Sequence, residues 1–295
     1  MEDIRLAAAL IVFIAIATFA VVRRLLIGRS PVFLDVSAVL VIAVGGAYVY
    51  LVWGQLWIVK WIPLGSVIIL SNWFPILSAA LAAVVWLRIE DLTRRIIVVS
   101  ALVGIGAYSL TSFIPAEPPD CGNKWVEPAV GVLWPVCLQT TDDTCSAAAA
   151  ATILNTINVE TTEQEMAELC LTRSGTTWLG LYHGLSTKLL GTNHRVEFFE
   201  GNIGDIEEMA TVHPVLLCCE LDPQVAEIAP DYVTNGGWIP GTAHSVVYFG
   251  TVRGGHLIGD PSRGYELWDT RDLNTLWSGT GLKLGHYDRH GNPVP

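Results

Sequence analysis

Four side chains in this sequence, Gln139, Cys145, His244 and Asp260, have the types and spacing for thiol-based acyl chemistry. Cys145 falls at the first turn of a helix expected over Cys145–Asn155, an Ala-rich run of strong helix formers. The free N–H groups and dipole at a helix start favour negative charge and lower a thiol pKa. The thiolate is the reactive species, so this is a suitable place for a nucleophile. By position alone, a buried thiol packing an Ala-rich helix explains Cys145 equally well. A nucleophile also needs a base, and seven histidines are available: 183, 194, 213, 244, 256, 286 and 290. His244 opens a β-rich run and Asp260 closes the next. If those runs pair as a hairpin about Gly254, the two become neighbours at one end, where a carboxylate can orient an imidazole and stabilise its protonated form. His256 lies nearer the turn, at the wrong end. His213, before Pro214, reads as a strand-entry residue. His183 and His194 read as surface residues, and His286 and His290 as solvent-exposed members of a Gly-rich polar tail. Gln139 stands six residues before Cys145. Its amide and the Cys145 N–H could stabilise a tetrahedral oxyanion, although a lone Gln is by itself an ordinary polar loop residue.

The elements that must hold these residues follow from local signals. Val136–Thr140 reads as a short extended piece, followed by the polar turn Thr141–Thr144, where Thr144 or Asp143 would cap the helix. A second helix starts at Thr161 or Thr162, since Thr162 and Glu165 have capping-box spacing. A third covers Thr177–Leu190 and stops at Gly191. Val196–Phe199, Val215–Glu220, His244–Thr251 and His256–Asp260 then read as strands, with Arg253–Gly255 fitting a hairpin turn. Helices first and strands later predict an α+β domain.

The rest of the chain is of another kind. Of 295 residues, 52% are apolar and only 15% charged, against about 25% charged in a soluble domain. Four apolar stretches, Ile4–Val22, Val36–Trp53, Val67–Leu87 and Ile96–Ile114, each approach the roughly 20 residues that cross a bilayer. Residues 1–115 are therefore expected to be an all-α membrane region of about four helices, 116–129 a stiff Pro-rich linker, and 130–295 the globular domain. Arg23, Arg24, Arg29, Arg88, Arg94 and Arg95 fall between spans one and two or three and four. Only Lys60 sits in the middle loop, so the positive-inside rule puts both termini and the globular domain outside the cytoplasm. Gln55–Ser71 could be an interfacial helix or part of a fifth span, which would reverse this sidedness. Asp35 sits near a span end. No paired charges are expected within the spans, so a transport role has little support.

Residues 116–295 carry nine Lys/Arg and twenty-three Asp/Glu, net −14. This argues against nucleic acid as a partner, because phosphate binding needs a basic face. No nucleotide site is expected either, for lack of a GxxxxGK[ST] sequence. All six cysteines lie beyond residue 120 without a CxxC pair, so neither a metal nor any other cofactor is expected. Cys218 and Cys219 sit in an apolar run and read as packing residues. Cys121 and Cys137 could form a disulfide in an oxidising compartment.

The segment Gln139-Thr-Thr-Asp-Asp-Thr-Cys145-Ser-Ala-Ala resembles the Q-x5-C-G-x-A box of the double-glycine leader peptidases. These are the papain-like, bacteriocin-processing domains of cysteine peptidase family 39. His244-Ser-Val-Val, Gly259-Asp260-Pro261 and the closing Leu267–Trp277 run resemble further parts of the same family, and the likeness covers roughly residues 130–285. The resemblance implies a papain-like thiol protease, a hydrolase with Cys145 as nucleophile, His244 as general base and acid, Asp260 as its orienter and Gln139 as oxyanion donor. It implies a peptide or protein substrate. Ser146 departs from the family's Gly, and a side chain there could narrow the approach to the thiol. The reading is thus a membrane-anchored cysteine peptidase with its domain outside the cytoplasm. Two alternatives are a catalytically silent module that binds a peptide or partner protein, and a non-proteolytic thiol acyl-transfer enzyme.

Overall fold

The structure is a computed structural model and describes residues 2–111, 119–128, 133–288 and 292–294. The end of the fourth expected span, parts of the expected linker, the first residues of the expected globular domain and His290 lie outside these. The chain divides into two compact units, Met1–Pro115 and Ala116–Pro295.

In the first unit, α1 spans Glu2–Leu26, α2 Pro31–Leu51, α3 Val67–Leu70, α4 Phe74–Arg88 and α5 Leu92–Thr111. Four stretches, Glu2–Leu26, Pro31–Leu51, Val67–Arg88 and Leu92–Thr111, are long and apolar enough to cross a membrane. Ser30 caps α2 by accepting from the Phe33 N–H, and Pro31 takes the first turn, where its missing donor costs nothing. The third span is broken at Ser71–Trp73. Tyr48 donates to the Ser71 carbonyl at 2.8 Å, and the Asn72 amide donates to the Ser109 carbonyl at 3.0 Å, so the break is met by hydrogen bonds from its neighbours. The stretch Gln55–Ser71 holds only a short 3-10 helix, Leu56–Lys60, and α3, so among the described residues there is no fifth spanning helix. Asp35 does have a partner. Its carboxylate receives Arg88 at 2.7 and 3.2 Å, both side chains being exposed.

The second unit mixes helices with an antiparallel sheet. Its elements begin with β1 (Lys124–Val126), β2 (Val136–Leu138), α6 (Cys145–Asn155), α7 (Glu163–Leu169) and α8 (Trp178–Lys188). Next come β3 (His194–Glu200), α9 (Ile203–Ala210), β4 (Val215–Glu220), α10 (Pro223–Ile228) and α11 (Asp231–Thr234). The chain ends with β5 (Ala243–Val252), β6 (Gly255–Asp260), β7 (Gly264–Trp268), α12 (Thr270–Leu276), β8 (Trp277–Tyr287) and β9 (Pro293–Val294). β1 and β2 form a two-stranded pair. The other strands form one sheet in the order β3-β8-β4-β5-β6-β7, with β9 on β8 and every pair antiparallel. The three expected helices are α6, α7 and α8, and the four expected strands are β3 to β6. Thr162 caps α7 and Thr177 caps α8 through their hydroxyls.

Three features differ from the sequence expectations. Lys124–Val126, inside the expected linker, is a strand whose register sets Trp125 against Cys137. Cys121 and Cys137 are both free thiols, with the Cys121 Sγ turned to the Pro119 carbonyl. His286, expected in a Gly-rich polar tail, lies on β8, which runs between β3 and β4 inside the sheet. The glycines of β8 are there for fit. A Cβ at Gly281 would press on the Leu216 carbonyl and the Phe199 ring.

Candidate active site

Cys145 is the first residue of α6 and is half-buried. The helix can bring it against the sheet because Ala147–Ala151 are all fully buried and small enough to pack closely on β5. Thr152, further along α6, accepts from the Cys137 N–H at 2.9 Å and so ties the helix to β2. Thr144 is the N-cap residue, yet its hydroxyl makes no capping bond to the helix. It donates to Glu163 at 2.5 Å, with the Thr141 carbonyl 3.1 Å away.

β5 supplies His244 and β6 supplies Asp260, at the end of the hairpin away from its turn. His244 Nε2 lies 3.0 Å from Asp260 Oδ1. That carboxylate oxygen also accepts the Ser262 N–H at 2.7 Å and the Ser262 hydroxyl at 2.6 Å, a compact turn of the kind Asp favours. With Nε2 engaged, Nδ1 is the ring nitrogen left for Cys145, whose thiol is in hydrogen-bonding reach of the imidazole. Trp238, buried in the loop before β5, sets its ring edge-on to His244 with centroids 5.2 Å apart at 81°.

The electrostatics act in one direction. Burial pushes the Cys145 thiol up, but hydrogen bonding and charge from His244, with the Ser245 backbone and the Ser146 hydroxyl, bring it below its ordinary value. Burial disfavours charge on His244, but Asp260 and Cys145 outweigh that and raise it to about 10. Asp260, also opposed by burial, is held below the usual carboxylate range by His244 and Ser262. The three shifts together favour the thiolate–imidazolium form of the pair, backed by a carboxylate. Burial drives the other thiols the opposite way: Cys121 to about 11, Cys137 and Cys218 to about 12, and Cys170 and Cys219 up as well.

Gln139 joins this corner through its backbone, donating its N–H to the Pro261 carbonyl at 2.8 Å, one residue beyond Asp260. Its side-chain Nε2 donates to the Thr141 carbonyl at 3.0 Å, and its Oε1 is buried without a partner among the described residues. One amide N–H of Gln139 is thus used within the loop and the second remains. Ser146, beside the thiol, turns its hydroxyl toward β5. It is buried, and its hydroxyl lies 2.8 Å from that of Ser245 and 3.9 Å from the Cys145 sulfur.

The other histidines sit apart. His256, near the hairpin turn, contacts the Tyr248 hydroxyl at 3.2 Å and Thr270 at 3.4 Å. His183, expected at the surface, is buried on α8, because that helix is enclosed on all sides from Leu179 to Leu185. His194 and His286 stack at 5.0 Å as a cross-strand pair of β3 and β8, so His286 belongs to the sheet and not to a solvated tail.

Among the solved structures with some likeness to the chain are peptidase domains of transporters. The peptidase domain of Streptococcus ComA, a bi-functional ABC transporter involved in a quorum-sensing pathway, is 16% identical with a TM-score of 0.39. The match covers 55% of this chain and 98% of that one. A double-glycine-motif protease from an AMS/PCAT transporter, in complex with its leader peptide, is 15% identical with a TM-score of 0.37, covering 52% and 91%. No protein-family model and no curated protein matches the chain.

Sequence reasoning passed over Glu163, Ser245, Ser262 and Trp238. Only Ser262 left a local signal, in the turn-forming run Asp260-Pro261-Ser262. The other three matter through partners 19, 99 and 6 residues away, which no local pattern encodes.

Proposed function

We propose that the chain is a membrane-anchored cysteine peptidase with a papain-like domain that acts outside the cytoplasm. The observation that carries this reading is the Cys145 thiol at a helix start, within reach of an imidazole whose other nitrogen is 3.0 Å from the buried Asp260 carboxylate. In this reading the Cys145 thiolate attacks the scissile carbonyl carbon and the carbonyl π electrons move to oxygen. The Cys145 N–H and the free amide N–H of Gln139 stabilise the oxyanion. As the intermediate collapses, His244 gives its proton to the departing amine and a thioester forms. His244 then takes a proton from water, the hydroxide attacks the thioester, and the thiolate is released with the imidazolium restored. Asp260 keeps the imidazole oriented throughout and stays ionised.

Four apolar helices support the anchor, and the clustering of arginine in the loops after the first and third spans supports an extracytoplasmic domain. The test is substrate profiling of the full chain in detergent with a peptide library, beside Cys145→Ala. Cleavage that depends on Cys145 is expected. Equal product from the Cys145→Ala protein would refute the reading.

One observation favours a second reading, a peptide-binding module without turnover: the Gln139 amide already donates to Thr141. A cellular role that survives Cys145→Ala would select it.

A further inference from the structure

The loop from Gln139 to Cys145 is gripped at both ends by one buried carboxylate. Glu163, the first residue of α7, is fully buried. Its Oε1 accepts the Thr140 N–H at 2.7 Å and the Thr144 hydroxyl at 2.5 Å, and its Oε2 accepts the Thr140 hydroxyl at 2.8 Å. Thr140 directly follows Gln139, and Thr144 directly precedes Cys145. Three donors from Thr140 and Thr144 converge on this one carboxyl group, so both ends of the five-residue connection are pinned to a single point.

The grip also changes how α6 begins. A Thr at the N-cap normally accepts an N–H from the first turn. Thr144 instead turns its hydroxyl to Glu163 and caps nothing, so the first-turn N–H groups keep their capacity for an anion beside Cys145.

We propose that Glu163 is a positioning residue for oxyanion stabilisation, setting the spacing between the Gln139 amide and the Cys145 N–H through Thr140 and Thr144. This rests on the reading of Cys145 as the nucleophile. Glu163 touches neither the thiol nor the expected oxyanion, and its effect passes through the loop. Its loss should therefore impair steps that build charge on a carbonyl oxygen and spare steps that need only the thiolate.

Two reagents separate these cases in the full-length protein in detergent. Iodoacetamide alkylates a thiolate by displacement at carbon and builds no oxyanion. p-Nitrophenyl acetate acylates the thiol through a tetrahedral oxyanion and releases p-nitrophenolate. With Glu163→Ala, alkylation of Cys145, read by mass spectrometry of its peptide, is expected to stay within about twofold of wild type, while acylation slows at least tenfold, since losing one oxyanion donor costs about 100-fold or more. Glu163→Gln keeps one acceptor oxygen for Thr140 and Thr144, and its rate should fall between the two. It carries the same comparison if the Ala variant unfolds. Acylation at the wild-type rate, or both reactions falling together, overturns the proposal. A wild-type Cys145 no more reactive than a free thiol toward either reagent overturns the peptidase reading and this proposal with it.

Discussion

The hydroxyls of Ser146 and Ser245 lie 2.8 Å apart in the buried contact between α6 and β5. Each follows a principal residue of the site in sequence, Ser146 after Cys145 and Ser245 after His244, so this one bond fixes the helix that carries the thiol to the strand that carries the imidazole. Replacing either Ser by Ala leaves the other buried hydroxyl without its partner, at a cost of about 1–3 kcal/mol. Replacing both removes the stranded group, so the double variant should be less destabilised than the sum of the singles. Denaturant unfolding of the four proteins, followed by tryptophan fluorescence, checks this. Strict additivity would show that the bond carries no coupling.

The shifts around His244 set a pH window. A histidine raised to about 10 contributes stability that is complete below its ordinary value of 6.5 and lost as pH rises through about 10. The depressed Asp260 contributes stability that is complete above its ordinary 3.8 and lost as pH falls through its folded value. The melting temperature of the full-length protein in detergent should therefore decline at both ends, and Asp260→Asn should bring the alkaline decline to lower pH. The same variant should cut peptide turnover about 100-fold or more, the range ascribed to general acid–base catalysis. An alkaline limb that stays in place in Asp260→Asn would remove Asp260 as the cause of the raised histidine.

Cys145 should be the one thiol that reacts near neutral pH. It is lowered by His244, while burial raises the other five. Limited iodoacetamide at pH 7 should give a single adduct, mapped to the peptide containing Cys145, and none in Cys145→Ala. Modification of Cys121 at a similar rate would contradict this, since that thiol is raised to about 11.

Trp238 covers one side of the His244 ring and also packs on Trp268, at 5.9 Å between centroids. Truncation to Ala removes buried aromatic surface and should destabilise the second unit by about 3–5 kcal/mol. It also admits water to the His244–Asp260 pair, so the bell of activity against pH should narrow. Trp238→Phe keeps a ring edge there and should retain most of the width. Equal narrowing in both variants would mean that a ring at this position does not shield the pair.

Sidedness can be read with single cysteines placed in a background where all six native cysteines are replaced by Ala. Ser30→Cys, between the first two spans, should be protected from a membrane-impermeant maleimide in intact cells, and Gln55→Cys, in the middle loop, should be labelled. The reverse pattern would place the globular unit in the cytoplasm.

Local sequence determined most of the parts. The Ala-rich run after Thr144 defines α6, the Thr caps define α7 and α8, and the β-rich runs define β3 to β6, because capping and propensity act over a few residues. The hairpin about Gly254 made His244 and Asp260 neighbours in advance, since a short turn fixes register. Tertiary structure alone decided the rest. β8, interrupted by three glycines, is a strand because β3 and β4 supply its hydrogen-bond partners and leave no room for a Cβ at Gly281 or Gly285. No local pattern marks Glu163, yet folding buries it against a loop about twenty residues earlier. The approach of Cys145 to His244, across ninety-nine residues, is fixed where α6 packs on β5, and Ser146, expected to crowd the thiol, is one of the residues that seals that contact. Pairings at such separation depend on which faces a fold buries together, and a linear pattern of side chains does not carry that information.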